Sequence, residues 1–518
     1  MMDSLSNQVV VATLQFLSTL FVVAIGAAVL VVIILFILDV SQTGDAVRRN
    51  YPVLGRFRYL FSMLGEFFRQ YFFAMDREEM PFNRAEREWV DRAAKNKDNT
   101  IAFGSTKSLT PPGTAIFVNC PFPTLSEDAS QVQPLEIGPY CREPFHAPSI
   151  FNISGMSYGA LSTPAVRALS NGARMAGCWM NTGEGGLSPY HLEGGCDIVF
   201  QIGTAKYGVR DESGAMSDEK LKEVAAHPQV KMFELKMSQG AKPGKGGILP
   251  GIKVTPEIAA IRGIPEGQDS ISPNRHPEID NASEMLDVIE RIRNVTGKPV
   301  GFKAVIGAFG WLETMCREIH ERGIESAPDF ITIDSGDGGT GAAPMALMDN
   351  VGLPVRESLP LVADILQKYG LRDRVRVVAS GKLITPSEVA WAIAAGADFV
   401  TSARGFMFSL GCIQALKCNR NTCPTGITTH NTRLQKGLNP ESKAVRVAGY
   451  CKNMIHEVEV IAHSCGVRRP RLLRRMHVRV VQDNGKSMSM DELYPCPDVL
   501  AEYRQSAAKT APEPAQVS

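Results

Sequence analysis

Eight short apolar segments, each followed by a polar or glycine-rich turn, most strongly constrain the fold of this chain. The segments are residues 149–154, 179–182, 198–202, 232–236, 300–305, 330–334, 375–380 and 399–402. Stretches of helical composition separate them, which is the pattern of parallel βα units. Eight such units predict an α/β fold with a (β/α)8 barrel, and a doubly wound parallel sheet is the alternative.

The turns that follow these segments hold most of the polar and glycine residues expected at a site. They lie at residues 155–157, 182–186, 236–240, 303, 335–339, 380–382 and 402–405. Each turn alone is a weak signal, since glycine turns are common on protein surfaces. Barrel enzymes, however, build their sites from the loops at the carboxyl ends of the strands. Seven turns in phase with the strands therefore indicate an active site.

Two features of these turns suit a flavin. The last two strand ends are the usual phosphate site of a barrel, and here they supply Gly381 and Arg404, whose guanidinium can bind an anion through two hydrogen bonds. Lys303 ends a strand that is otherwise apolar, so we expect it to be buried with a partner. A cation there would stabilise the negative charge that develops on a reduced isoalloxazine ring.

Four basic residues fall in one glycine-rich region and suit a dicarboxylate. They are Lys236, Lys242, Arg262 and Arg275, and the neutral hydrogen-bonding residues Ser238 and Gln239 lie among them. Such residues often form a solvated basic face. Their confinement to the glycine-rich loop region favours convergence on one anion.

Three cysteines occur close together, with the spacing C-x5-C-x4-C and a proline after the last one. They are Cys412, Cys418 and Cys423. Structural zinc usually takes four ligands from two tight pairs, whereas iron–sulfur clusters are commonly held by thiolates on a loop. Three buried, reduced structural cysteines are the alternative. The spacing alone leaves both interpretations open.

The amino terminus predicts a single membrane-spanning helix. No charged residue occurs between Ser4 and Leu38, and about 20 apolar residues suffice to cross a bilayer. A signal peptide would need a basic first segment, which is absent. Arginines at positions 48, 49, 56 and 58 follow the apolar run, which predicts a cytoplasmic body. The aromatic-rich segment 59–75 could lie at the membrane interface or pack on the catalytic domain.

Composition excludes some classes of partner. The 55 basic and 54 acidic residues nearly cancel, so we expect no nucleic-acid partner. The odd number of cysteines, eleven, indicates a reducing compartment and not a disulfide framework. No G-x-G-x-x-G motif follows a strand in a dinucleotide-binding context, so we expect no direct binding of NAD(P)H.

Seven motifs in this order resemble the synthase domain of glutamate synthase, over about residues 145–440. They are Ser154-Gly-Met-Ser-Tyr-Gly-Ala-Leu-Ser162, Asn181-Thr-Gly-Glu-Gly-Gly186, Lys236-Met-Ser-Gln-Gly-Ala-Lys-Pro-Gly-Lys-Gly-Gly247, Leu249-Pro-Gly-Ile-Lys-Val254, Ile271-Ser-Pro273, Asp337-Gly-Gly-Thr-Gly-Ala342 and the cysteine loop. The resemblance implies a (β/α)8 barrel that holds FMN beside a 3Fe-4S cluster. It also implies an oxidoreductase that reduces 2-iminoglutarate, formed from 2-oxoglutarate and ammonia, to L-glutamate.

The resemblance also assigns residues. For FMN it implies Ser154, Gly155, Met156, Ser157, Asn181, Gln201, Lys303, Ser335, Gly336, Asp337, Gly338, Gly339, Gly381 and Arg404. For the oxo acid it implies Lys236, Gln239, Lys242 and Arg262, while Glu184 would line the place where ammonia arrives. Glu184, Lys236 and Gln239 are thus the candidate catalytic residues. Cys412, Cys418 and Cys423 would hold the cluster.

Departures from the family pattern leave alternatives. The chain begins with a predicted membrane helix and not with a glutaminase domain, so we expect that it does not hydrolyse glutamine itself. We also expect an external electron donor such as ferredoxin. Arg275 and Lys245, both near the expected substrate, differ from the family residues. The alternatives are an N-methylglutamate synthase-like or other amine/oxo-acid flavin oxidoreductase, and a non-catalytic redox subunit.

The predicted organisation has four parts. They are a transmembrane anchor at 1–44, a juxtamembrane helical and connecting region at 45–144, the barrel with its cysteine loop at 145–445, and a carboxy-terminal helical extension at 446–518. The last residues, from Ala507, are rich in proline and alanine, which predicts a disordered tail.

Overall fold

The computed structural model of the chain describes residues 2–130 and 132–504. These form two compact units, the first ending at Ala85 and the second beginning at Glu86. The predicted tail from Ala507 lies outside the described residues. The four-part division of the chain stays a prediction.

The first unit is helical. Its elements are α1 (Met2–Ser41), α2 (Ala46–Asn50), α3 (Leu54–Phe68) and a π-helical turn (Arg69–Phe73). Residues Val10–Ser41 of α1 are long and apolar enough to cross a membrane, and the most apolar 18-residue stretch among them has no buried residue. The predicted apolar helix is therefore present, and by length and composition it is a candidate for a membrane span.

Asp39 fixes the turn that follows α1. Its carboxylate is fully buried and accepts hydrogen bonds from the guanidinium groups of Arg48 and Arg56, at 2.9 and 2.7 Å. It also accepts one from the backbone amide of Val53 at 3.0 Å. Asp45 caps α2 by accepting from the amides of the first turn. The basic segment after the apolar helix is thus ordered by the carboxylates of Asp39 and Asp45.

The second unit contains a closed barrel of parallel strands, in the order β4-β5-β6-β7-β10-β11-β12-β13 around the ring. The strands in chain order are β1 (Ala115–Phe117), β2 (Leu135–Ile137), β3 (Phe145–Ala147), β4 (Phe151–Ile153), β5 (Met180–Asn181), β6 (Ile198–Ile202), β7 (Val230–Lys236), β8 (Ile248–Leu249), β9 (Ser270–Ile271), β10 (Val300–Val305), β11 (Phe330–Asp334), β12 (Arg376–Ser380), β13 (Phe399–Ser402), β14 (Val478–Val481) and β15 (Ser487–Ser489). The predicted barrel is confirmed, and the doubly wound alternative is wrong because β13 pairs with β4 and closes the sheet.

Helices surround the barrel and extend it at the carboxyl terminus. They are α4 (Arg84–Ala94), α5 (Thr163–Ala176), α6 (Pro189–Leu192), α7 (Asp218–Ala225), α8 (Pro256–Arg262), α9 (Ala282–Thr296), α10 (Gly310–Arg322), α11 (Val355–Lys368), α12 (Pro386–Ala395), α13 (Arg404–Leu410), α14 (Thr432–Gln435), α15 (Pro440–Ser464) and α16 (Met490–Leu493). Short 3-10 turns lie at Gly251–Lys253, Ile324–Ser326, Pro470–Leu472, Arg475–His477 and Ala501–Tyr503.

Local sequence explains where these elements begin and end. In α5 the side chain of Ser162 accepts a hydrogen bond from the amide of Ala165, and the helix stops at Gly177, whose φ is 72°. The strands are continuous apolar runs because both of their faces are covered; all five residues of β6 and of β11 are buried.

The amino-terminal end of the barrel is filled by apolar side chains. The antiparallel hairpin of β2 and β3 brings Ile137 and Phe145 into the same core cluster as Trp179 and Phe399. The rings of Trp179 and Phe399 lie 5.0 Å apart between centroids. Because this end is packed, polar side chains from the strands gather at the carboxyl ends.

Candidate functional site

The three predicted catalytic residues lie together where β5 and β7 end. The Lys236 ammonium lies 3.0 Å from the Glu184 carboxylate and donates a 2.7 Å hydrogen bond to the Gln239 side-chain oxygen. Glu184 follows β5, whereas Lys236 is the last residue of β7. Their contact therefore depends on barrel closure and not on proximity in the sequence.

The charges around Glu184 keep it ionised. Burial alone would raise the pKa of Glu184, but the positive charges of Lys236, Lys242 and Arg262 more than offset this and hold that pKa below its usual value. Burial lowers the pKa of Lys242 to about 8, and the neighbouring Lys236 acts in the same direction. One carboxylate thus lies among three cations.

Glycines make room for this carboxylate. A Cβ at Gly247 would lie 2.2 Å from a carboxylate oxygen of Glu184, and one at Gly203 would lie 2.7 Å from its Cβ. Any side chain at these positions would displace Glu184. The glycine-rich loop after β7 therefore needs glycine at position 247, where it passes Glu184.

Arg262, the last residue of α8, carries a guanidinium that is 5% exposed. Its Nη2 donates to the backbone oxygen of Tyr158 at 3.2 Å, and the guanidinium lies 5.2 Å from the centroid of the Tyr207 ring. Burial lowers the pKa of Arg262, while Tyr207 and Glu184 act in the opposite direction. Within residues 2–130 and 132–504, no carboxylate lies within 4.0 Å of it and its Nε has no hydrogen-bond partner.

Arg275 and Lys245, which the sequence placed near the expected substrate, are exposed side chains. Arg275 pairs with Asp280 and donates to the backbone oxygen of Ile279 at 2.8 Å, with its side chain 58% exposed. Lys245 is exposed in the glycine-rich loop. The convergence of Arg275 with the other three cations stays a prediction, and Asp280 already balances the charge of Arg275.

Lys303 is buried with a partner, as its apolar strand suggested. It pairs with Asp334 at 3.1 Å, and Asp334 also accepts from the amide of Gly240 at 3.0 Å. Burial alone would lower the pKa of Lys303, but Asp334 and Glu234 more than offset this and raise it. Lys303 therefore carries a fixed positive charge at the carboxyl end of β10.

Glu234 is a buried acid that sequence reasoning missed. One carboxylate oxygen accepts from the side-chain amides of Asn181 and Gln201, at 2.8 and 2.6 Å. The other accepts from the Thr332 hydroxyl at 2.6 Å. Glu234 lies on β7 between buried apolar residues, and a glutamate in such a strand is the signal that could have revealed it.

The residues predicted at the ends of β4, β5 and β6 do meet. A Cβ at Gly155 would lie 2.9 Å from side-chain atoms of both Asn181 and Gln201, and one at Gly183 would lie 2.5 Å from the Ser157 amide. The backbone at 154–157, including Ser154 and Met156, thus runs directly beside these two amides. Only glycine permits this approach at positions 155 and 183.

A second group of predicted residues meets at the ends of β11 to β13. It comprises Ser335, Gly336, Asp337, Gly338, Gly339, Gly381 and Arg404. A Cβ at Gly381 would lie 2.2 Å from Cβ of Ser335, and one at Gly339 would lie 2.6 Å from Nε of Arg404. Burial lowers the pKa of Arg404, and Asp334 and Asp337 act in the opposite direction.

The cysteine loop places its three thiols within electrostatic reach of one another. Burial raises the pKa of Cys412 to about 11, and the charges of Cys418 and Cys423 act in the same direction. Gln414 and Leu416 in this loop have φ values of 57° and 53°, a left-handed conformation that is strained for such residues. No group of three or more His, Cys, Asp or Glu side chains in the described parts of the chain has the arrangement of a metal site.

Two further buried residues contact the site and were not singled out from the sequence. His276 donates from Nε2 to the backbone oxygen of Lys236 at 3.0 Å, and burial lowers its pKa to about 4. Lys253 donates to the backbone oxygens of Ala160 and Cys418, at 2.8 and 3.4 Å. Burial lowers the pKa of Lys253 to about 8, while Cys418 and Cys423 act in the opposite direction. Lys253 belongs to the motif 249–254, one of the motifs that resemble the glutamate synthase pattern.

Comparisons with known proteins agree with the motifs. Residues 124–468 match the family described as the conserved region in glutamate synthase. The glutamate synthase large subunit-like protein YerD of Bacillus subtilis is 41% identical over 498 residues, which cover 89% of this chain and 94% of that protein. An archaeal glutamate synthase (NADPH) of Methanocaldococcus jannaschii is 36% identical over 342 residues, 65% of this chain and 63% of that protein.

Among solved structures, mandelate oxidase with (S)-4-hydroxymandelic acid overlaps the chain with a TM-score of 0.43 and 15% identity, covering 76% of this chain and 98% of the oxidase. A similarity at this level gives no information about substrate or chemistry.

Proposed function

The chain belongs to the glutamate synthase family, a family of oxidoreductases, and from this premise we propose that it forms L-glutamate by reducing 2-iminoglutarate. The iminoglutarate would arise from 2-oxoglutarate and ammonia, and electrons would come from an external protein donor such as ferredoxin. The observation that carries the proposal is the buried cluster of three cations around Glu184.

A dicarboxylate is the ligand that this cluster suits best. Arg262 has neutral hydrogen-bond partners only, and among the described residues no carboxylate lies within 4.0 Å of the Lys242 ammonium. Burying cations without counter-charges is costly, so an anionic ligand would stabilise the folded site. Arg262 and Lys242 would each bind one carboxylate, and Lys236 with Gln239 would orient the oxo group.

Glu184 would bind the ammonium that supplies the nitrogen. Its lowered pKa keeps the carboxylate ionised at neutral pH. An ionised carboxylate attracts ammonium and can accept the proton that ammonium must lose before it attacks a carbonyl carbon. Lys236, 3.0 Å away, would hold the carboxylate in place and can donate a proton to the departing oxygen of the oxo acid.

FMN fits the two groups of residues at the strand ends. The side-chain amides of Asn181 and Gln201, the Lys303 ammonium and the Gly155 backbone offer polar groups that would contact a flavin ring. Arg404, packed against Gly339, and the turn at Gly381 would hold the phosphate. Bound FMN would supply the hydride, while Lys303 would stabilise negative charge at the ring.

The cysteine loop fits a 3Fe-4S cluster by its donor set. Cys412, Cys418 and Cys423 are free thiols; besides burial, the charges of Cys418 and Cys423 help to raise the pKa of Cys412, and the charge of Cys423 helps to raise that of Cys418. Hydrogen bonds from Thr425 and Thr428 more than offset the effect of burial and lower the pKa of Cys423, which favours the thiolate that iron needs. Such a cluster would pass single electrons between the donor and the flavin.

We propose that the first unit attaches the enzyme to a membrane as a single-pass anchor, with the body on the cytoplasmic side. Val10–Ser41 has the length and composition of a span, and Arg48 and Arg56 follow it on the Asp39 turn. Along α3 and the π-helical turn, Phe61, Phe72 and Phe73 are exposed, which suits the interfacial layer of a bilayer.

The proposed function is tested by binding and turnover on anaerobically purified protein. We expect 2-oxoglutarate to bind, as measured by calorimetry, and pyruvate to bind far more weakly because it lacks the second carboxylate. With a reduced dye as donor, ammonium should yield glutamate. Failure to bind 2-oxoglutarate or glutamate at millimolar concentration contradicts the proposal, and N-methylglutamate formed from methylammonium in preference to glutamate would identify the alternative nitrogen source.

A further inference from the structure

Three consecutive backbone oxygens after β4 each accept a hydrogen bond from a different part of the protein. Tyr158 O accepts from Arg262 at 3.2 Å, and Gly159 O accepts from Nε2 of His430 at 2.9 Å. Ala160 O accepts from the Lys253 ammonium at 2.8 Å. The loop at residues 158–160 thus contacts the proposed dicarboxylate site through Tyr158. Through Gly159 and Ala160 it contacts the region of the cysteines.

Lys253 also contacts the cysteine loop directly. Its ammonium is 3.4 Å from the backbone oxygen of Cys418, and the side-chain amide of Asn421 donates to the backbone oxygen of the preceding Ile252 at 3.4 Å. The 3-10 turn Gly251–Lys253 therefore lies between the cysteine loop and loop 158–160.

The surroundings of Lys253 fix its position. The residue is 2% exposed, and within the described parts of the chain no carboxylate lies within 4.0 Å of its ammonium. Backbone oxygens are its hydrogen-bond partners, and they come from the two loops that it joins. A buried ammonium that loses either oxygen would be poorly solvated, so a shift of one loop requires a shift of the other.

We propose that Lys253 is a positioning residue that couples the cysteine loop to the dicarboxylate clamp at Arg262 through loop 158–160. The inference rests on the proposed function, since it requires both an iron cluster and a dicarboxylate. Ordering of the cysteine loop around iron would hold Lys253 against Ala160 O, and Tyr158 O in the same loop would then hold Arg262 in its binding position. Iron loading and dicarboxylate affinity should therefore be linked.

A double-mutant cycle tests the coupling. Iron content and the Kd for 2-oxoglutarate, by calorimetry, are measured for the wild type, Cys412→Ser, Lys253→Met and the double variant. We expect each single variant to raise Kd about fivefold or more, although neither residue contacts the ligand. We expect the double variant to bind no more weakly than the weaker single variant, because both changes break the same connection.

Lys298→Met is the matched control. Lys298 is also a buried lysine, 5% exposed, and donates to the backbone oxygen of Val230 at 2.6 Å, at the opposite end of the barrel. We expect Lys298→Met to bind 2-oxoglutarate with the wild-type Kd. Adding Cys412→Ser to Lys298→Met should raise Kd by the same factor as it does in the wild type. Lys253→Arg, which keeps the charge and the donor, should restore part of the affinity that Lys253→Met loses.

The outcomes separate the inference from the proposed function. The coupling is overturned if Cys412→Ser leaves Kd unchanged. It is also overturned if the increase in Kd of the double variant is the product of the increases in the two single variants. Dicarboxylate binding stands in both cases. A wild type that holds no iron or binds no dicarboxylate overturns both. If Lys253→Met does not fold, His430→Leu breaks the neighbouring hydrogen bond to Gly159 and enters the same cycle with the same expected result.

Discussion

Single residues in this site differ in how their charges are balanced. Lys303 has its own carboxylate partner, Asp334, whereas Lys236, Lys242 and Arg262 surround one acid, Glu184. Burial of a charge is unfavourable unless a partner compensates it. The excess of positive charge is therefore the physical reason to expect an anionic substrate here and not at Lys303.

Arg262→Ala should weaken 2-oxoglutarate binding by well over tenfold, because removal of one member of a buried charge contact costs about 2–5 kcal/mol. The flavin content should stay near that of the wild type, since other strand ends hold the proposed flavin. Binding is measured by calorimetry and flavin by absorbance.

Arg210→Ala is the control for this change. Arg210 lies 5.0 Å from the centroid of the same Tyr207 ring but is partly exposed and donates to the backbone oxygen of Gly263. We expect its removal to leave the Kd unchanged. Equal losses in both variants would mean that Tyr207 packing, and not charge, sets the affinity.

The affinity for 2-oxoglutarate should fall as the pH rises through about 8, the pKa to which burial lowers Lys242. Below that pKa the ammonium attracts a carboxylate, and above it the neutral amine does not. Lys242→Arg should remove the decline, because a guanidinium stays protonated over this range. Calorimetry across the pH series measures the effect, and an identical decline in the arginine variant would assign it to another group.

At the scale of secondary-structure elements, the turns after the strands determine which side chains meet. Glycines 155, 183, 339 and 381 have no room for a Cβ, so the backbone of one turn lies against the side chains of another. The cysteine loop is a longer element, and its contacts with Gly251–Lys253 hold it against the rest of the site.

Gly339→Ala should reduce FMN affinity about tenfold, a change of about 1.4 kcal/mol. The new Cβ would lie 2.6 Å from Nε of Arg404 and would displace the proposed phosphate ligand. Gly341→Ala, two residues further along the same loop, has nothing within 4 Å of its new Cβ and should bind FMN normally. Flavin quenching titrations of the apoprotein measure both, and equal affinities would place the phosphate elsewhere.

Cys418→Ser should abolish iron binding and cluster absorbance while the barrel remains folded, because the loop lies outside the closed ring of strands. The wild type, purified anaerobically, should carry about three irons per chain, as a three-thiolate loop implies. Cys120→Ser, a free cysteine outside the loop, is the control and should keep its iron. Equimolar zinc without iron in the wild type would contradict the cluster.

The whole molecule consists of a helical unit that ends at Ala85 and a barrel unit that begins at Glu86. The barrel has its own core, filled at one end by the hairpin of β2 and β3, so we expect it to fold without the apolar helix at the amino terminus. We therefore expect that membrane attachment can be removed without loss of catalysis.

Deletion of residues 1–44 should give protein that is soluble without detergent and still binds FMN, because it removes the whole apolar segment Val10–Ser41. Sedimentation with membranes at high salt and flavin absorbance are the measurements. Deletion of residues 1–82 is the comparison. If only the longer deletion releases the protein, the exposed aromatic residues at 45–82 hold it to the bilayer.

The barrel could be predicted from the amino-acid sequence, and so could the turns that form the candidate site. Every predicted barrel strand is present, within two residues at each end, because apolar runs and the turns after them are local signals. Lys303 was expected to be buried because its strand is apolar, and the residues at the strand ends meet because parallel strands bring their carboxyl ends together.

Which charged side chains pair could not be predicted without the folded structure. The sequence placed Arg275 with the substrate cations, but the folded loop pairs it with Asp280. Glu234 accepts from Thr332, 98 residues away, and Lys253 contacts Cys418 across 165 residues. A charged residue's partner depends on which loops fold against each other, and spacing along the chain carries no information about contacts at that separation.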